Sequence, residues 1–195
     1  MAEGEDLVTA AWPAEFVLVA PGSGIEGIEV EPDLLARVSA HGQGARAIGV
    51  YERRWASAPA GPLCLALWGV GDPGNVGTII RSALAFGAAS VAFGPRCADP
   101  FGPKAVRASM GAVFEVPLAR VERVEELPRP TIALVAREGE PLRGGGTFVV
   151  GAEREGLPAE VVDACDRVAH IPIRSESLNA AMAATVALYE AVRYN

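Results

Sequence analysis

From residue 63 onward, short and almost wholly apolar runs alternate with segments of helical periodicity. The runs cover residues 63–70, 90–94, 131–136 and 147–153. A strand that is apolar on both faces must be covered on both faces, and this arrangement is typical of parallel strands flanked by helices. The alternation therefore predicts an α/β domain built on a parallel sheet.

Residues 1–58 follow a different pattern. A strand, a helix and a second strand are predicted at 16–20, 31–39 and 47–54. The helix has acidic residues at its start and Leu34, Leu35 and Val38 at helical spacing. Small residues and two prolines follow at 56–62, as in a linker. We therefore divide the chain into a small α/β accessory domain, 1–58, and a larger domain, 59–195.

Composition excludes several classes of protein. No apolar run approaches the roughly 20 residues that span a bilayer, and acidic residues follow Met1 where a leader would be basic. We expect a soluble, cytoplasmic protein without a membrane partner. The three cysteines have no metal-ligand spacing, and His41 and His170 are the only histidines, so we expect no metal site.

The net charge of −7 argues against a nucleic-acid partner, because phosphate binding normally leaves a basic footprint. A local group of arginines on an acidic protein can nevertheless create a positive field. Charge alone therefore leaves RNA binding open.

Gly69, Gly71 and Gly74 form a GxGxxG pattern between a predicted strand and a predicted helix. This pattern occurs in dinucleotide-binding turns. The strand at 90–94, however, lacks the acidic residue near its end that would hold a ribose hydroxyl. A nicotinamide-dependent oxidoreductase is therefore only a third hypothesis.

Three separated segments place polar residues in apolar surroundings. In the first, 75–84, Asn75 is predicted to be the helix N-cap, and Gly77 and Arg81 share one face. The predicted buried stripe of this helix consists of Ile79, Ile80, Ala83 and Leu84. Arg81 therefore lies off the core face, either as a functional cation or as an ordinary surface one.

The second segment, 148–157, is a strand that ends in a glycine turn carrying Glu153. Glycine at such a strand end lets the backbone approach a ligand closely, although a plain strand-to-helix turn has the same features. In the third, 171–179, Ser177 and Asn179 precede a helix, 178–192, that has almost no charge before Glu190. Both residues suit a helix cap, and the helix must be covered by the sheet or by a second subunit.

Together, Asn-x-Gly-x-x-x-Arg, Gly-x-Glu-x-x-Gly-Leu and Ile-Pro-x-x-x-x-Ser-Leu-Asn resemble the three motifs of the SpoU/TrmH family of RNA 2'-O-methyltransferases. The resemblance spans 63–193 and includes the segment 104–112. Residues 3–8 resemble the family's accessory RNA-binding domain, which would begin late in this chain and be truncated.

The resemblance implies a SPOUT-type parallel sheet with a C-terminal trefoil knot, and a homodimer paired through the knot domain. It also implies S-adenosylmethionine as the cofactor, held largely by backbone groups. The matching positions are Val135, Ala136, Gly151, Ile171, Ile173 and Leu178. The loop 171–178 is compact where many family members carry an extra residue or two.

For the chemistry, the resemblance assigns the centre to Arg81, acting on a ribose 2'-hydroxyl of tRNA or rRNA. Arginine stays protonated in proteins, so we favour phosphate anchoring and stabilisation of the developing oxyanion over a role as base. Asn75 would fix the geometry of Arg81, and Glu153 would support its guanidinium or the loop. Ser177 and Asn179 would shape the pocket and hydrogen-bond the substrate.

Lys104 and Arg107 are candidates for contacts with the RNA backbone, or else are ordinary solvated cations. The main alternative for the whole chain is a non-catalytic RNA- or ligand-binding module that keeps the SPOUT fold. The acidic charge and the short front domain favour that alternative.

Overall fold

The computed structural model describes residues 1–10, 13–40 and 44–193, so His41 lies outside the described residues. The first part of the chain forms a four-stranded sheet in the order β1-β4-β2-β3. Its elements are β1 (Ala2–Glu3), α1 (Glu5–Ala10), β2 (Phe16–Val19), β3 (Ile28–Glu29), α2 (Pro32–Val38) and β4 (Ala47–Val50). The two strands and the helix predicted in this region are confirmed.

The rest of the described chain forms a seven-stranded sheet in the order β7-β6-β5-β10-β8-β11-β9, with parallel pairing throughout. Its strands are β5 (Cys64–Trp68), β6 (Ser90–Phe93), β7 (Leu118–Arg120), β8 (Thr131–Val135), β9 (Glu140–Pro141), β10 (Thr147–Gly151) and β11 (Arg167–His170). The predicted parallel sheet is thus confirmed. The apolar runs became β5, β6, β8 and β10, whereas β7, β9 and β11 were not predicted.

Both faces of this sheet are covered. Four helices flank it: α3 (Pro73–Ala85), α4 (Pro103–Ser109), α5 (Ala159–Ala164) and α6 (Ala180–Arg193). Along β5, Leu65 and Leu67 belong to one buried cluster, and Ala66 and Trp68 belong to another on the opposite face. Burial on both faces explains why these strands are apolar without alternation.

Close packing of α3 on α4 depends on Gly77. A Cβ atom there would lie 2.3 Å from the carbonyl oxygen of Ala105. Ile79, Ile80 and Ala83 of α3 are fully buried, as predicted. The prediction was wrong for Leu84, which is 38% exposed because it lies at the outer edge of the buried stripe.

The stretch predicted as a linker lies against the larger sheet. The amide of Ala56 donates to the carbonyl of Leu118 at 2.7 Å, which adds a short parallel bridge to the outer side of β7. The amide of Ala60 donates to the Ser90 hydroxyl at 2.9 Å. The connection between the two sheets is therefore fixed to the second one.

The parallel arrangement decides where a site can form. The carboxyl ends of all strands in a parallel sheet lie at one edge, where the following loops gather. Here those loops begin after Trp68, Phe93, Val135, Gly151 and His170. The three polar segments singled out in the sequence all belong to this edge.

Candidate active site

Side-chain hydrogen bonds join the three polar segments. Asn75 Nδ2 donates to Glu153 Oε1 at 2.7 Å, and Asn179 Nδ2 donates to Asn75 Oδ1 at 3.0 Å. Both amide ends of Asn75 are therefore used, one toward the loop after β10 and one toward the start of α6. We call this arrangement the Asn75 bridge.

Asn75 is available for the bridge because it is not the N-cap, contrary to the sequence prediction. The cap of α3 is Asp72, whose Oδ1 accepts the Asn75 backbone amide at 2.9 Å, and Pro73 is at the first helical position. That hydrogen bond, together with Lys104 Nζ at 3.2 Å, holds the pKa of Asp72 below its ordinary value. An aspartate directly before a proline is a recognisable start signal, so the sequence could have identified this cap.

Asn179 has two roles in the same geometry. Its Oδ1 accepts the backbone amides of Ala181 at 2.9 Å and Met182 at 3.3 Å, so it caps α6 as predicted. Its Nδ2 atom then points to Asn75. The apolar helix α6 therefore starts at a position fixed by the bridge.

Glu153 lies on a closed turn. The backbone amide of Ala152 donates to Gly156 at 3.1 Å, and the amide of Gly156 donates back to Ala152 at 3.0 Å. A Cβ atom on Gly151 would lie 2.3 Å from the carbonyl carbon of Gly156, so the turn packs against Gly151 where a side chain would otherwise be. This geometry explains the glycine that begins the second motif.

A cavity of about 660 Å³ opens beside the bridge, between the loops that follow β8, β10 and β11. Its lining includes Glu153, Ser177 and all six positions predicted to hold a cofactor: Val135, Ala136, Gly151, Ile171, Ile173 and Leu178. Asn75, Arg81 and Asn179 do not line the cavity. The bridge attaches Asn75 and Asn179 to its wall through Glu153.

The cavity suits a ligand with both apolar and charged parts. Leu134 and Val150 contribute apolar surface, and the charged lining includes the carboxylates of Glu138 and Asp163 and the basic side chain of Arg137. Its volume lies in the range of about 300–1,000 Å³ typical of small-molecule sites. A zwitterionic molecule with an aromatic or aliphatic body would find partners for each of its parts.

Arg81 lies on α3 six residues after Asn75, which corresponds to roughly 9 Å along a helix. Its side chain is exposed, and within 1–10, 13–40 and 44–193 it has no hydrogen bond or ion pair. Glu153 accepts a hydrogen bond from the Asn75 amide, and in the described part of the chain no hydrogen bond or ion pair joins it to the Arg81 guanidinium. The neighbouring Ser82 hydroxyl bonds that of Thr185 at 2.7 Å, which places Arg81 beside the seam between α3 and α6.

The two predicted RNA-contacting cations lie on α4. Lys104 forms an ion pair with Asp72, and its side chain is still exposed. Arg107 is exposed in the last turn of the helix. Because α4 packs on α3 through Gly77, both cations lie on the helix layer that carries Arg81. The sequence did not predict the link from Lys104 to the cap of α3.

No helix among residues 1–10, 13–40 and 44–193 is long and apolar enough to cross a bilayer. No group of three or more His, Cys, Asp or Glu side chains among them is placed to hold a metal ion.

Comparison with known proteins adds an independent line of argument. Residues 62–189 match the model of the SpoU rRNA Methylase family. A 23S rRNA uridine 2'-O-methyltransferase of Streptomyces viridochromogenes is 38% identical over 142 residues, which cover 63% of this chain and 49% of that protein. The chain thus spans about half the length of this curated relative.

Solved structures match over almost the whole chain. The AdoMet-bound rRNA methyltransferase of Sinorhizobium meliloti superposes with a TM-score of 0.82 and 28% identity, covering 98% of this chain and 86% of that one. A TrmH-family RNA methyltransferase, described as putative, from Porphyromonas gingivalis gives a TM-score of 0.87 and 28% identity, with coverages of 99% and 89%. The similarity thus includes the four-stranded sheet as well as the larger one.

The double role of Asn179 can be separated by substitution. Asn179→Ala removes both the cap and the Asn179–Asn75 bond, whereas Asn179→Ser keeps a capping oxygen but is too short to reach Asn75. We expect urea unfolding to show Asn179→Ala about 1 kcal/mol less stable than Asn179→Ser. Amide exchange in the turn 151–157 should be faster in both variants, because Asn75 loses one of the two partners that orient its amide toward Glu153. Wild-type exchange in Asn179→Ser would show that the Asn179–Asn75 bond does not hold this turn.

Proposed function

This chain belongs to the SpoU rRNA methylase family, and from that membership we propose that it transfers a methyl group from S-adenosylmethionine to a ribose 2'-hydroxyl of rRNA or tRNA. The observation that carries the proposal is the Asn75 bridge, which joins one residue from each of the three motifs and is attached through Glu153 to the wall of one cavity. Similarity to proteins named as 2'-O-methyltransferases supports the same reaction.

The cavity fits the proposed cofactor by size, apolar surface and charge. When bound, S-adenosylmethionine supplies an electrophilic methyl group on a sulfonium. Backbone groups at Val135, Gly151 and Ile171 would hold its body, and Glu138 or Asp163 would face its positively charged parts. The compact loop 171–178 forms part of this lining and leaves the cavity open.

Arg81 would act on the ribose. Negative charge would develop on the 2'-oxygen as its proton passes to solvent or to a nearby phosphate. That oxygen would take up the methyl group as the carbon–sulfur bond of the sulfonium breaks, with the neutral thioether as the leaving group. A guanidinium remains protonated, so it stabilises that charge and anchors the adjoining phosphate without accepting the proton. The exposed Arg81 side chain, without a partner among the described residues, is available for this contact.

Ser177 and Asn179 would orient the sugar from the other side of the cavity mouth. Lys104 and Arg107 would add phosphate contacts along α4, with Lys104 shared between the RNA and Asp72. The four-stranded sheet at 1–58 would act as the accessory RNA-binding domain. Two observations support that role: this sheet is separate from the larger one, and the superposition on an rRNA methyltransferase structure includes it.

We also propose the trefoil knot of the family for the carboxyl-terminal chain. Residues 171–179 run from β11 past the loops after β8 and β10, and α6 then packs against α3 and β10. This return across the sheet, from its β11 side toward its middle, is the path that a knotted chain requires.

A homodimer would cover the outer face of α6. Along this helix, Met182 is 61% exposed, Tyr189 is 51% exposed and Val186 is 38% exposed. Burial of such a patch against a second copy would account for the lack of charge that the sequence shows before Glu190.

Dimerisation is testable by placing a charge on this face. Met182→Glu should shift the protein from dimer to monomer in sedimentation velocity, because an unpaired carboxylate is costly to bury. Val38→Glu, at a position 49% exposed on α2, is the matched control and should remain dimeric. A wild-type monomer, or a Met182→Glu dimer of unchanged affinity, would contradict the proposed interface.

Loss of the Arg81 guanidinium should slow the reaction strongly without weakening cofactor binding. We expect Arg81→Ala to lower methyl transfer from tritiated S-adenosylmethionine to rRNA and tRNA of a deletion strain by roughly 10²–10³-fold. Calorimetric cofactor affinity should stay unchanged, and Arg143→Ala, an exposed charge-matched control, should stay active.

Two results would contradict the proposal. Methyl transfer by Arg81→Ala at the wild-type rate would remove Arg81 from the site. RNA binding by the wild type without cofactor affinity or transfer would favour the non-catalytic binding module.

A further inference from the structure

A second cavity, of about 270 Å³, lies at the same edge of the sheet as the cofactor cavity, at the ends of β6 and β7. Its lining includes Trp55, Phe93, Arg96, Asp99 and Arg120. We call it the Trp55 cavity. None of the three family motifs contributes a residue to it.

An aromatic cluster forms one wall of the Trp55 cavity. The Trp55 ring meets Phe93 edge-on with centroids 5.8 Å apart, and meets Phe101 edge-on at 5.0 Å. The adjacent residue, Ala56, is bridged to β7, which fixes the indole in place. The Arg120 guanidinium carbon lies 4.5 Å from the Trp55 ring centroid, so the cation is held on the aromatic face.

The opposite wall is a loop with a constrained backbone. Arg96 has φ of 60°, a left-handed conformation that is uncommon for residues other than glycine and that occurs often in ligand sites. On its two sides, Pro95 accepts the Gly69 amide at 3.1 Å, and the Ala98 amide donates to Val70 at 2.9 Å. The wall is thus attached to the loop that leads into the cap of α3 and to Asn75.

The charges of the Trp55 cavity leave two guanidinium groups for a ligand. Asp99 is paired with Arg53 at 3.0 Å, and Glu122 is the other acidic side chain in the described lining. Arg96 and Arg120 are exposed and have no ion pair with a described residue. The chain has a net charge of −7, so two such arginines beside an indole form a locally positive site on an acidic protein.

The position of the cavity relates it to the proposed reaction. β7 is three strands away from β10, or roughly 14 Å, with β6 and β5 between them. Burial raises the pKa of the Cys97 thiol in the cavity wall, and the negative charge of Glu153 adds a smaller rise. A single RNA strand across the site could reach both cavities.

We propose that the Trp55 cavity binds an unstacked base of the substrate RNA, adjacent in the strand to the nucleotide whose ribose is methylated. The base would stack on the Arg120 guanidinium, which itself lies on Trp55, and Arg96 would contact the neighbouring phosphate. RNA-binding proteins use aromatic rings and arginine planes in this way for unpaired bases. This inference rests on the proposed function for its substrate, and it adds a subsite that positions that substrate.

A binding assay tests the subsite independently of catalysis. The probe is a fluorescein-labelled, mixed-sequence single-stranded RNA of 12 nucleotides, measured by anisotropy beside an abasic strand of equal length. Arg120→Ala should weaken binding of the base-containing probe by about tenfold, as loss of one stacked base predicts. On the abasic strand, Arg120→Ala should equal the matched control Arg143→Ala.

Further variants separate a base from a phosphate as the ligand. Arg120→Lys keeps the charge but not the planar group, so it should remain weakened. Trp55→Phe, which keeps an aromatic wall, should bind better than Trp55→Leu at equal thermal stability. Wild-type affinity in Arg120→Lys, or equal losses on the normal and abasic probes, would overturn base binding.

Methyl-transfer kinetics then connect the subsite to the reaction. With rRNA of a deletion strain, Arg120→Ala should raise the RNA KM by about tenfold and leave kcat and cofactor affinity unchanged. An unchanged RNA KM would contradict a positioning role. Absence of transfer by the wild type would instead count against the proposed function, and the anisotropy result would still decide the subsite.

Discussion

The site depends on one hydrogen-bonded amide. Asn75 connects Glu153, 78 residues away, with Asn179, 104 residues away, and each bond uses a different end of the same side chain. An amide is suited to this position because it both donates and accepts, whereas a carboxylate or an ammonium could serve only one partner. The cavity wall, the start of α6 and the helix that carries Arg81 are thereby held in one arrangement.

The bridge is possible because each contributing segment is also fixed by local hydrogen bonds. Asp72 caps α3 and leaves the Asn75 side chain free, and Asn179 caps α6 with the oxygen that the bridge does not use. The paired amides of Ala152 and Gly156 close the turn that carries Glu153. The parallel sheet then brings the three to one edge, as ligand sites in α/β folds require.

Sequence alone predicted the strands whose burial on both faces makes them apolar, and the cap at Asn179, because local residues decide these features. It was wrong about Asn75 as the cap, although Asp72 before Pro73 is a local signal for the true cap, and the partner of Asn75, 78 residues away, leaves no such signal. It was wrong about Leu84 because the outer edge of a helix leaves no local signal either. It also missed β11. It missed the Trp55 cavity because Trp55 and Arg120 are distant in sequence and meet only through the bridge beside β7. The residues predicted around the cofactor lie together in the structure, and their chemical roles remain our proposal.

The most direct test of ribose methylation is mass spectrometry of nucleosides from total RNA. The strains to compare are the parent, a deletion strain, and that deletion complemented by the wild type or by Arg81→Ala. The account predicts that one 2'-O-methylnucleoside is missing after deletion, returns with the wild type and stays missing with Arg81→Ala. Loss of a base-methylated nucleoside, or an unchanged nucleoside profile in the deletion strain, would contradict it.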